Sequence, residues 1–407
     1  MSVGEVDREI VTPAGSANLT TKLIRGQTLP ALGARIGAFI ARKTGSPFRF
    51  GTTVVATRHA HVKEMLCRDL DFGIAAVNAV KIGEVNGGPF ILGMDRSAEL
   101  EEERRALYEA LAAVDMSALQ KAAEDEISEK LAAVPAGGRI DVVEGYARPV
   151  AAHTAQRLFG INPGNDQLFM EVVRSVFAHT FLNLSGDQVV RDRAIKAGRF
   201  MGAWYAEEIV RRRASGQLGD DMMGKLLRQG VVNDDGVRRT LGGMLVGSID
   251  TTATCVAKIV KVAARDRELL RSMARDVDDL RRMHGWCEEA LRRWPHNPIV
   301  MRTAMADTEL AGQTVKKGDS VIAWTQAAMQ DESAFPDPKR LRPDRDLSTY
   351  LHLGWGLHPC SGRVVNRFQI PLLVAGLLRR GPDRVDKMQW TSSFPGKLMV
   401  SLKEGPR

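Results

Sequence analysis

The chain has few cysteines and few long apolar runs, and each scarcity excludes a class of protein. Four cysteines occur in 407 residues, and they form no CxxC or Cys/His pattern with metal-ligand spacing, so neither a disulfide framework nor a zinc site is expected. The apolar run PLLVAGLL (371–378) is far shorter than the roughly 20 residues that span a bilayer. Residues 1–22 are polar and lack the apolar core of a signal peptide. These absences predict a soluble, cytoplasmic protein with no membrane anchor.

Charged residues of both signs are plentiful. Lys and Arg number 57 against 49 for Asp and Glu, which gives a net charge of +8. The basic residues are scattered among acidic ones, as in RDVDDLRR (275–282), and no long basic tract occurs. This pattern favours an ordinary solvated surface and no nucleic-acid partner. The alternative is a surface that docks an acidic protein partner.

Apolar residues recur at helical spacing through the middle of the chain. Helices are predicted over 99–114, 189–214, 235–266 and 276–294. Strand-like alternation is confined to three short regions: 48–57, a hairpin over 309–324, and a pair of strands over 389–403. No Gly/Ser/Pro-rich linker divides the chain. The sequence therefore predicts a mainly α fold with a small β region, in a single domain over 1–407.

One of the four cysteines lies in a glycine-rich loop, LGWGLHPCSG (353–362). Glycine permits positive φ and close approach of the backbone to a planar group. A helix-like run follows the loop, and the start of a helix favours a thiolate over a thiol. Pro371 within that run predicts a kink. From these residues alone, the loop is either an ordinary connection or a site that presents a thiolate.

The cysteine loop resembles the Phe-Gly-x-Gly-x-His-x-Cys-x-Gly signature of cytochromes P450, with Leu353 in place of the first Phe. The resemblance extends through most of the chain. It implies the cytochrome P450 fold, with haem b (iron protoporphyrin IX) between the long central helix and the helix that follows the loop. It also implies that Cys360 is the axial iron ligand, which promotes O–O cleavage. By the same resemblance His358 lies near a haem propionate, and Gly354 and Gly356 belong to the cofactor site.

Upstream, EALR (289–292) matches the Glu-x-x-Arg helix of that family. Glu289 and Arg292 are three residues apart and so share one helix face. In the family this pair forms a structural network with a later arginine. The segment FPDPKRLRPDR (335–345) supplies such a residue, and Arg340 is the predicted partner.

A third motif, GSIDTTATC (247–255), lies within the predicted long helix. Hydroxyl side chains are unusual there because they compete for backbone hydrogen bonds. The segment resembles the family's oxygen-binding turn, with Ser248 in place of the usual glycine. The resemblance implies that Asp250 and Thr251 are the catalytic acid–alcohol pair that relays protons. The alternative is a helix-packing interface of small residues.

Two arginines match family residues that bind the haem propionates. Arg302 is one of them, with a lone surface arginine as the alternative. Arg104 is the other, within 88–111. Four residues before it the family has a histidine, where this chain has Leu100. We therefore expect weaker haem retention, or compensation by Arg104, Arg302 and His358.

The resemblance implies a haem-thiolate monooxygenase of secondary metabolism that hydroxylates or epoxidises a small, largely hydrophobic substrate with O2. A separate ferredoxin or flavodoxin with its reductase is expected to supply the electrons, and the protein is expected to be a monomer. One alternative is a peroxide-using peroxygenase or rearrangement catalyst on the same scaffold. The other is a non-catalytic haem-binding protein. The pocket segments 71–90 and 173–186 offer small aliphatic residues, Phe177 and Phe181, which do not specify a substrate.

Overall fold

The computed structural model describes residues 37, 41, 43, 45–183, 185–391 and 394–404, so the polar segment 1–22 lies outside the described residues. Helices dominate the described part of the chain. In chain order, the α-helices with both ends among the described residues are α1 His59–Cys67, α2 Ala75–Asn86, α3 Ala98–Ala112, α4 Met116–Ala132, α5 Arg148–Phe159, α6 Asp166–Phe177, α7 Gln188–Ser215, α8 Met222–Gln229, α9 Asp234–Val246, α10 Asp250–Ala263, α11 Arg267–Arg275, α12 Leu280–Arg293, α13 Thr325–Ala328, α14 Arg363–Asn366 and α15 Gln369–Arg379. Single π-helical turns, Val142–Ala147 and Ala178–Leu182, adjoin α5 and α6.

The strands are short and form small sheets. In chain order they are β1 Phe48–Phe50, β2 Thr53–Ala56, β3 Phe72–Gly73, β4 Arg139–Asp141, β5 Val300–Ala304, β6 Thr308–Leu310, β7 Gln313–Val315, β8 Ser320–Ala323, β9 Pro382–Val385, β10 Gln389–Thr391, β11 Phe394–Lys397 and β12 Met399–Leu402. The largest sheet has the order β1-β2-β8-β5-β3, with β2 and β8 parallel. A three-stranded sheet, β4-β12-β9, and the pairs β6-β7 and β10-β11 complete the β structure of the described residues.

The predicted mainly helical fold with a small β region is confirmed. The predicted helices over 99–114 and 189–214 correspond to α3 and α7. The prediction for 276–294 began too early, because the Asp279 side chain accepts a hydrogen bond from the Arg282 N–H and caps α12. The prediction of one pair of strands over 389–403 was incomplete, since the third strand, β12, pairs with β4 and β9 instead.

The prediction of one continuous helix over 235–266 was wrong, because residues 247–249 separate α9 from α10. At the interruption Gly247 is exposed and Ser248 is half-buried, whereas apolar residues of both helices on either side are almost completely buried. Among the described residues, the segment Asp234–Ala263 is the one stretch long and apolar enough to cross a membrane, and 67% of its most apolar part is buried inside the protein. This degree of burial is typical of a helix in a protein core, so the segment is weak evidence for a membrane span.

The chain after the cysteine loop breaks into two helices rather than forming one kinked helix. α14 has four residues, and α15 begins at Gln369, after a break at Arg367 and Phe368. Pro371 is the third residue of α15, a position where the backbone N–H of any residue would have no partner inside the helix. The predicted kink at Pro371 is therefore wrong. The proline is accommodated at the start of a new helix.

Candidate active site around Cys360

The cysteine loop is closed by its own backbone. The Cys360 N–H donates to the Leu353 carbonyl across 2.7 Å, and the Gly354 N–H donates to the Leu351 carbonyl across 3.0 Å. Cys360 is half-buried. Burial raises the pKa of its thiol, and the Gly362 N–H and the Arg363 charge only partly oppose this. The backbone N–H groups at the start of α14 thus favour the thiolate as predicted, but burial outweighs them in the protein alone. A bound metal ion would deprotonate the thiol outright.

The two glycines before the cysteine are required by the backbone around them. Gly354 and Gly356 have φ of +74° and +72°, values that favour glycine. A Cβ at Gly356 would lie 2.1 Å from the Leu66 carbonyl oxygen of α1, and one at Gly354 would lie 3.0 Å from the His358 carbonyl oxygen. Protein contacts alone therefore account for both residues, and their role in cofactor binding stays a prediction.

Three cationic or titratable side chains converge beside this loop. β5 alternates in burial, which places Arg302 on the buried face with Ala304. Arg302 is 5% exposed, and its one hydrogen bond among the described residues is to the neighbouring Met301 carbonyl. Burial lowers the pKa of Arg302 to about 10. Burial also lowers the pKa of His358 to about 4, with further lowering by the Arg302 and Arg104 charges. Because the charges of Arg302 and Arg104 both lower the pKa of His358, the three side chains lie near one another.

Arg104 completes this cluster from α3. Its Nε is buried and has no hydrogen-bond partner, and no carboxylate pairs with Arg104 among the described residues. Leu100, one turn earlier, is completely buried in the main core, so it offers no polar contact. A buried polar atom without a hydrogen-bond partner is costly. The cluster of Arg104, Arg302 and His358 is therefore suited to a ligand that brings carboxylates.

Glu289 and Arg292 form a fully buried ion pair on α12. Arg292 Nε donates to Glu289 Oε1 across 2.7 Å, and both side chains are completely inaccessible. The prediction that Arg340 completes the network with its side chain is wrong: Arg345 Nε lies 3.2 Å from Glu289 Oε2, whereas Arg340 contributes its carbonyl to Arg292. Tyr350 also donates to Glu289 Oε1, across 2.6 Å. Burial raises the pKa of Glu289, but its partners outweigh this and hold the pKa below its usual value.

The break between α9 and α10 explains the cluster of hydroxyl residues in the third motif. Where the helix is interrupted, backbone carbonyls lose their usual N–H partners. The Thr251 hydroxyl donates to the Gly247 carbonyl, and the Thr252 hydroxyl donates to the Ser248 carbonyl across 2.8 Å. Ser248 itself donates to the Leu245 carbonyl. The hydroxyls thus stabilise the break that the sequence reading did not predict.

Asp250 begins α10 and is 3% exposed. Its Oδ1 accepts from Arg174 Nη2 across 2.6 Å and lies 3.1 Å from Arg148 Nε, whereas its Oδ2 is buried without a partner. Burial raises the pKa of Asp250, but the two arginines outweigh it and the pKa falls below its usual value. The sequence reading missed both arginines, because Arg174 lies in a segment judged to be an apolar pocket wall.

A second buried charge, Lys258, lies two turns further along α10. Its Nζ is completely buried and donates to the Pro295 carbonyl across 2.6 Å, with the Trp294 ring centroid 5.1 Å away. Burial lowers the pKa of Lys258 to about 7. The hydrogen bond fixes the chain just before His296, whose two ring nitrogens are buried without partners.

Lys258 is expected to make the protein more stable as pH rises. An unfolded lysine titrates near 10.4, so between pH of about 7 and about 10 the unfolded chain binds one proton more than the folded chain. The free energy of unfolding then gains about 1.4 kcal/mol per pH unit from this group, and nothing below pH 7 where both states are charged. Urea unfolding between pH 6 and 9 should show that slope in the wild type and its loss in Lys258→Met. The exposed Lys339→Met is the matched control, and equal slopes in all three proteins would refute the prediction.

The residues that surround Cys360 fit a haem. The thiol of Cys360 can supply an axial ligand. The orphaned Nε of Arg104 and the nearly partnerless Arg302 suit two propionates.

Fold and site together define a mainly helical protein that presents one cysteine, in a glycine-rich loop, beside the buried Arg302 and the half-buried Arg104, which suit a dicarboxylate cofactor. Residues 212–381 match the family model described as Cytochrome P450. Biflaviolin synthase CYP158A1 of Streptomyces coelicolor is 29% identical over 83% of this chain and 81% of its own length. The Mycinamicin IV hydroxylase/epoxidase of Micromonospora griseorubida is 27% identical over 73% of each chain. The chain is therefore similar to the cytochromes P450, and the comparisons support a cytochrome P450 monooxygenase.

Solved structures extend the similarity to the whole fold. The crystal structure of CalO2 superposes with a TM-score of 0.80 at 20% identity, covering 97% of this chain and 99% of that one. The Tepidiphilus thermophilus P450 heme domain gives a TM-score of 0.79 at 19% identity, covering 96% and 97%. At these identities the two structures show similarity of fold alone. Their coverage extends to residues before 212, which the family model does not match.

Proposed function

We propose that this monooxygenase holds haem b through Cys360 and hydroxylates or epoxidises a small, largely hydrophobic substrate of secondary metabolism in the cytoplasm. The observation that carries the proposal is the pair of arginines without carboxylate partners, the buried Arg302 and the half-buried Arg104, beside His358 and the cysteine loop. The names of relatives, such as Mycinamicin IV hydroxylase/epoxidase, are consistent with this class of substrate.

When bound, haem supplies the activation of O2; the chain supplies the ligand, the cofactor contacts and the protons. Cys360 donates the sulfur ligand, and Arg104, Arg302 and His358 bind the propionates. Monooxygenation consumes two protons per O2, so it needs a route for protons into a buried site. The Thr251 hydroxyl and the free Oδ2 of Asp250 form that route. Arg148 and Arg174 keep Asp250 ionised and therefore able to accept a proton.

Electrons come from a separate ferredoxin or flavodoxin with its reductase. Arg367, on the exposed side of the chain after the cysteine loop, and the half-buried Arg363 belong to the basic surface proposed to dock it. Such docking between opposite charges raises the association rate and weakens with salt.

The visible spectrum of the purified, haem-loaded protein tests the proposal. After reduction and addition of carbon monoxide, we expect a Soret band shifted far to the red, as a thiolate ligand produces. We then expect product from O2 when ferredoxin and its reductase are supplied, and none from peroxide alone. This result would separate a monooxygenase from a peroxygenase on the same scaffold. Thr251→Ala should lower product yield per electron. A protein that binds no haem would overturn the proposal, and a haem-loaded protein that forms no product would favour a non-catalytic haem protein. An unchanged yield in Thr251→Ala would contradict the proposed proton route.

A further inference from the structure

Arg104 has a neighbour on α3 that the sequence motifs do not include. Tyr108 lies four residues later on the same helix face, and the Arg104 guanidinium lies over its ring at 4.9 Å from the centroid. The Tyr108 hydroxyl accepts a hydrogen bond from Ser361 Oγ across 3.3 Å. Ser361 is the residue directly after Cys360. One side chain therefore contacts both Arg104 and the cysteine loop.

The contact with Tyr108 compensates for what Arg104 lacks. A free arginine side chain loses on the order of 2 kcal/mol of rotamer entropy when it is fixed, and among the described residues no carboxylate fixes Arg104. A guanidinium over an aromatic ring gains about 0.5 to 2 kcal/mol. The ring thus limits the conformations of Arg104 before any ligand binds. This preorganisation lowers the entropic cost of binding a carboxylate.

The hydroxyl of Tyr108 adds a second constraint. α3 carries Arg104, and the loop of residues 353–362 carries Cys360; the hydrogen bond between Tyr108 and Ser361 joins the two. A cofactor that Cys360 and Arg104 both hold would need these two groups at a fixed separation. At the family's histidine position, Leu100 is buried in the core and contributes no polar contact.

We infer that Tyr108 is a positioning residue for haem retention, which holds Arg104 toward a propionate and ties α3 to the cysteine loop. It compensates for the contact that Leu100 cannot make. The inference rests on the proposed function, because it requires haem to be the cofactor.

The rate of haem transfer from the haem-loaded protein to excess apomyoglobin tests the inference. Tyr108→Leu removes both contacts, so we expect haem loss to accelerate on the order of tenfold, which corresponds to about 1.4 kcal/mol. Tyr108→Phe keeps the stacked ring and loses the hydrogen bond, so a smaller, few-fold acceleration is expected. Ser361→Ala removes the same hydrogen bond from its other side and should match Tyr108→Phe.

A double-mutant cycle distinguishes positioning of Arg104 from general packing. In an Arg104→Leu background, Tyr108→Leu should accelerate haem loss no more than Tyr108→Phe does in the wild type, because the guanidinium is already gone. The full tenfold effect in that background, or a wild-type rate in Tyr108→Leu, would overturn the inference. If Tyr108→Leu does not fold, Tyr108→Phe and Ser361→Ala test the inference instead. Each removes the same hydrogen bond, so the two substitutions should accelerate haem loss equally, and the double variant should lose haem no faster than either one. Failure of the wild type to bind haem would instead refute the proposed function.

Discussion

Cys360→Ser is expected to abolish the red-shifted carbon monoxide band of the reduced protein completely. A serine hydroxyl does not ionise as a thiol does, so it cannot provide an anionic sulfur-like ligand to iron. The fold should survive, because the loop is closed by the Cys360 backbone N–H and by backbone contacts of Gly354 and Gly356, none of which uses the sulfur. The spectrum and the amount of bound haem should be measured on the same samples. Together they distinguish loss of the sulfur ligand from loss of folded, haem-binding protein.

Cys255→Ser is the matched control for that experiment. Cys255 is also half-buried, and burial raises the pKa of its thiol to about 12, so it is no better a thiolate than Cys360 in the protein alone. The control should keep the shifted band at full intensity. A shifted band in Cys360→Ser, or its disappearance in Cys255→Ser, would assign the ligand to another residue.

Glu289→Gln is expected to lower the free energy of unfolding by about 3 to 5 kcal/mol, because it leaves a buried arginine without its counter-charge. Arg292 is completely inaccessible and cannot turn to water. The substitution also weakens the contacts of Glu289 with Arg345 and Tyr350. A domain of ordinary stability has about 5 to 15 kcal/mol in total, so the loss is a large fraction of the stability and should lower the urea midpoint clearly. Urea unfolding followed by circular dichroism measures the change.

Glu332→Gln serves as the comparison. Glu332 pairs with Lys43 across 3.2 Å, and both side chains are more than half exposed, so its removal should cost less than about 1 kcal/mol. Similar small losses in Glu289→Gln and Glu332→Gln would show that the buried network does not stabilise the fold. An Arg340→Met variant should also unfold near the wild-type urea concentration, since Arg340 reaches Arg292 through its backbone alone.

The sequence predicted the ion pair of Glu289 and Arg292 but not the arginine that joins it, Arg345. The spacing of Glu289 and Arg292 requires a shared helix face, and the structure shows the pair. The third residue came from a segment, 335–345, that offers four basic side chains. Which of them faces inward depends on the turns of an irregular chain, and no periodicity specifies those turns. Because of that local geometry, the side chain of Arg345, and not that of Arg340, contacts Glu289.

Long-range pairing limited the prediction in two other places. Apolar periodicity continues unbroken from α9 into α10, so it could not reveal that residues 247–249 interrupt the helix. The run of Ser and Thr hydroxyls was the available signal, since such side chains bond to carbonyls near helix interruptions. Likewise Asp250 was predicted as a site residue, but its partners Arg148 and Arg174 come from α5 and α6. Contacts between distant helices follow from packing, which a single sequence does not show.

The two glycines of the cysteine loop bear on how such chains change over evolutionary time. Any side chain at position 356 would collide with the Leu66 carbonyl, so selection for a folded loop acts there whether or not the protein catalyses anything. A descendant that lost its activity would be free to replace Cys360 and Arg302 well before it could replace Gly356. In genome surveys, a surviving glycine pattern is therefore a record of ancestry, whereas under the proposed function the cysteine and the arginine cluster would indicate a retained haem site.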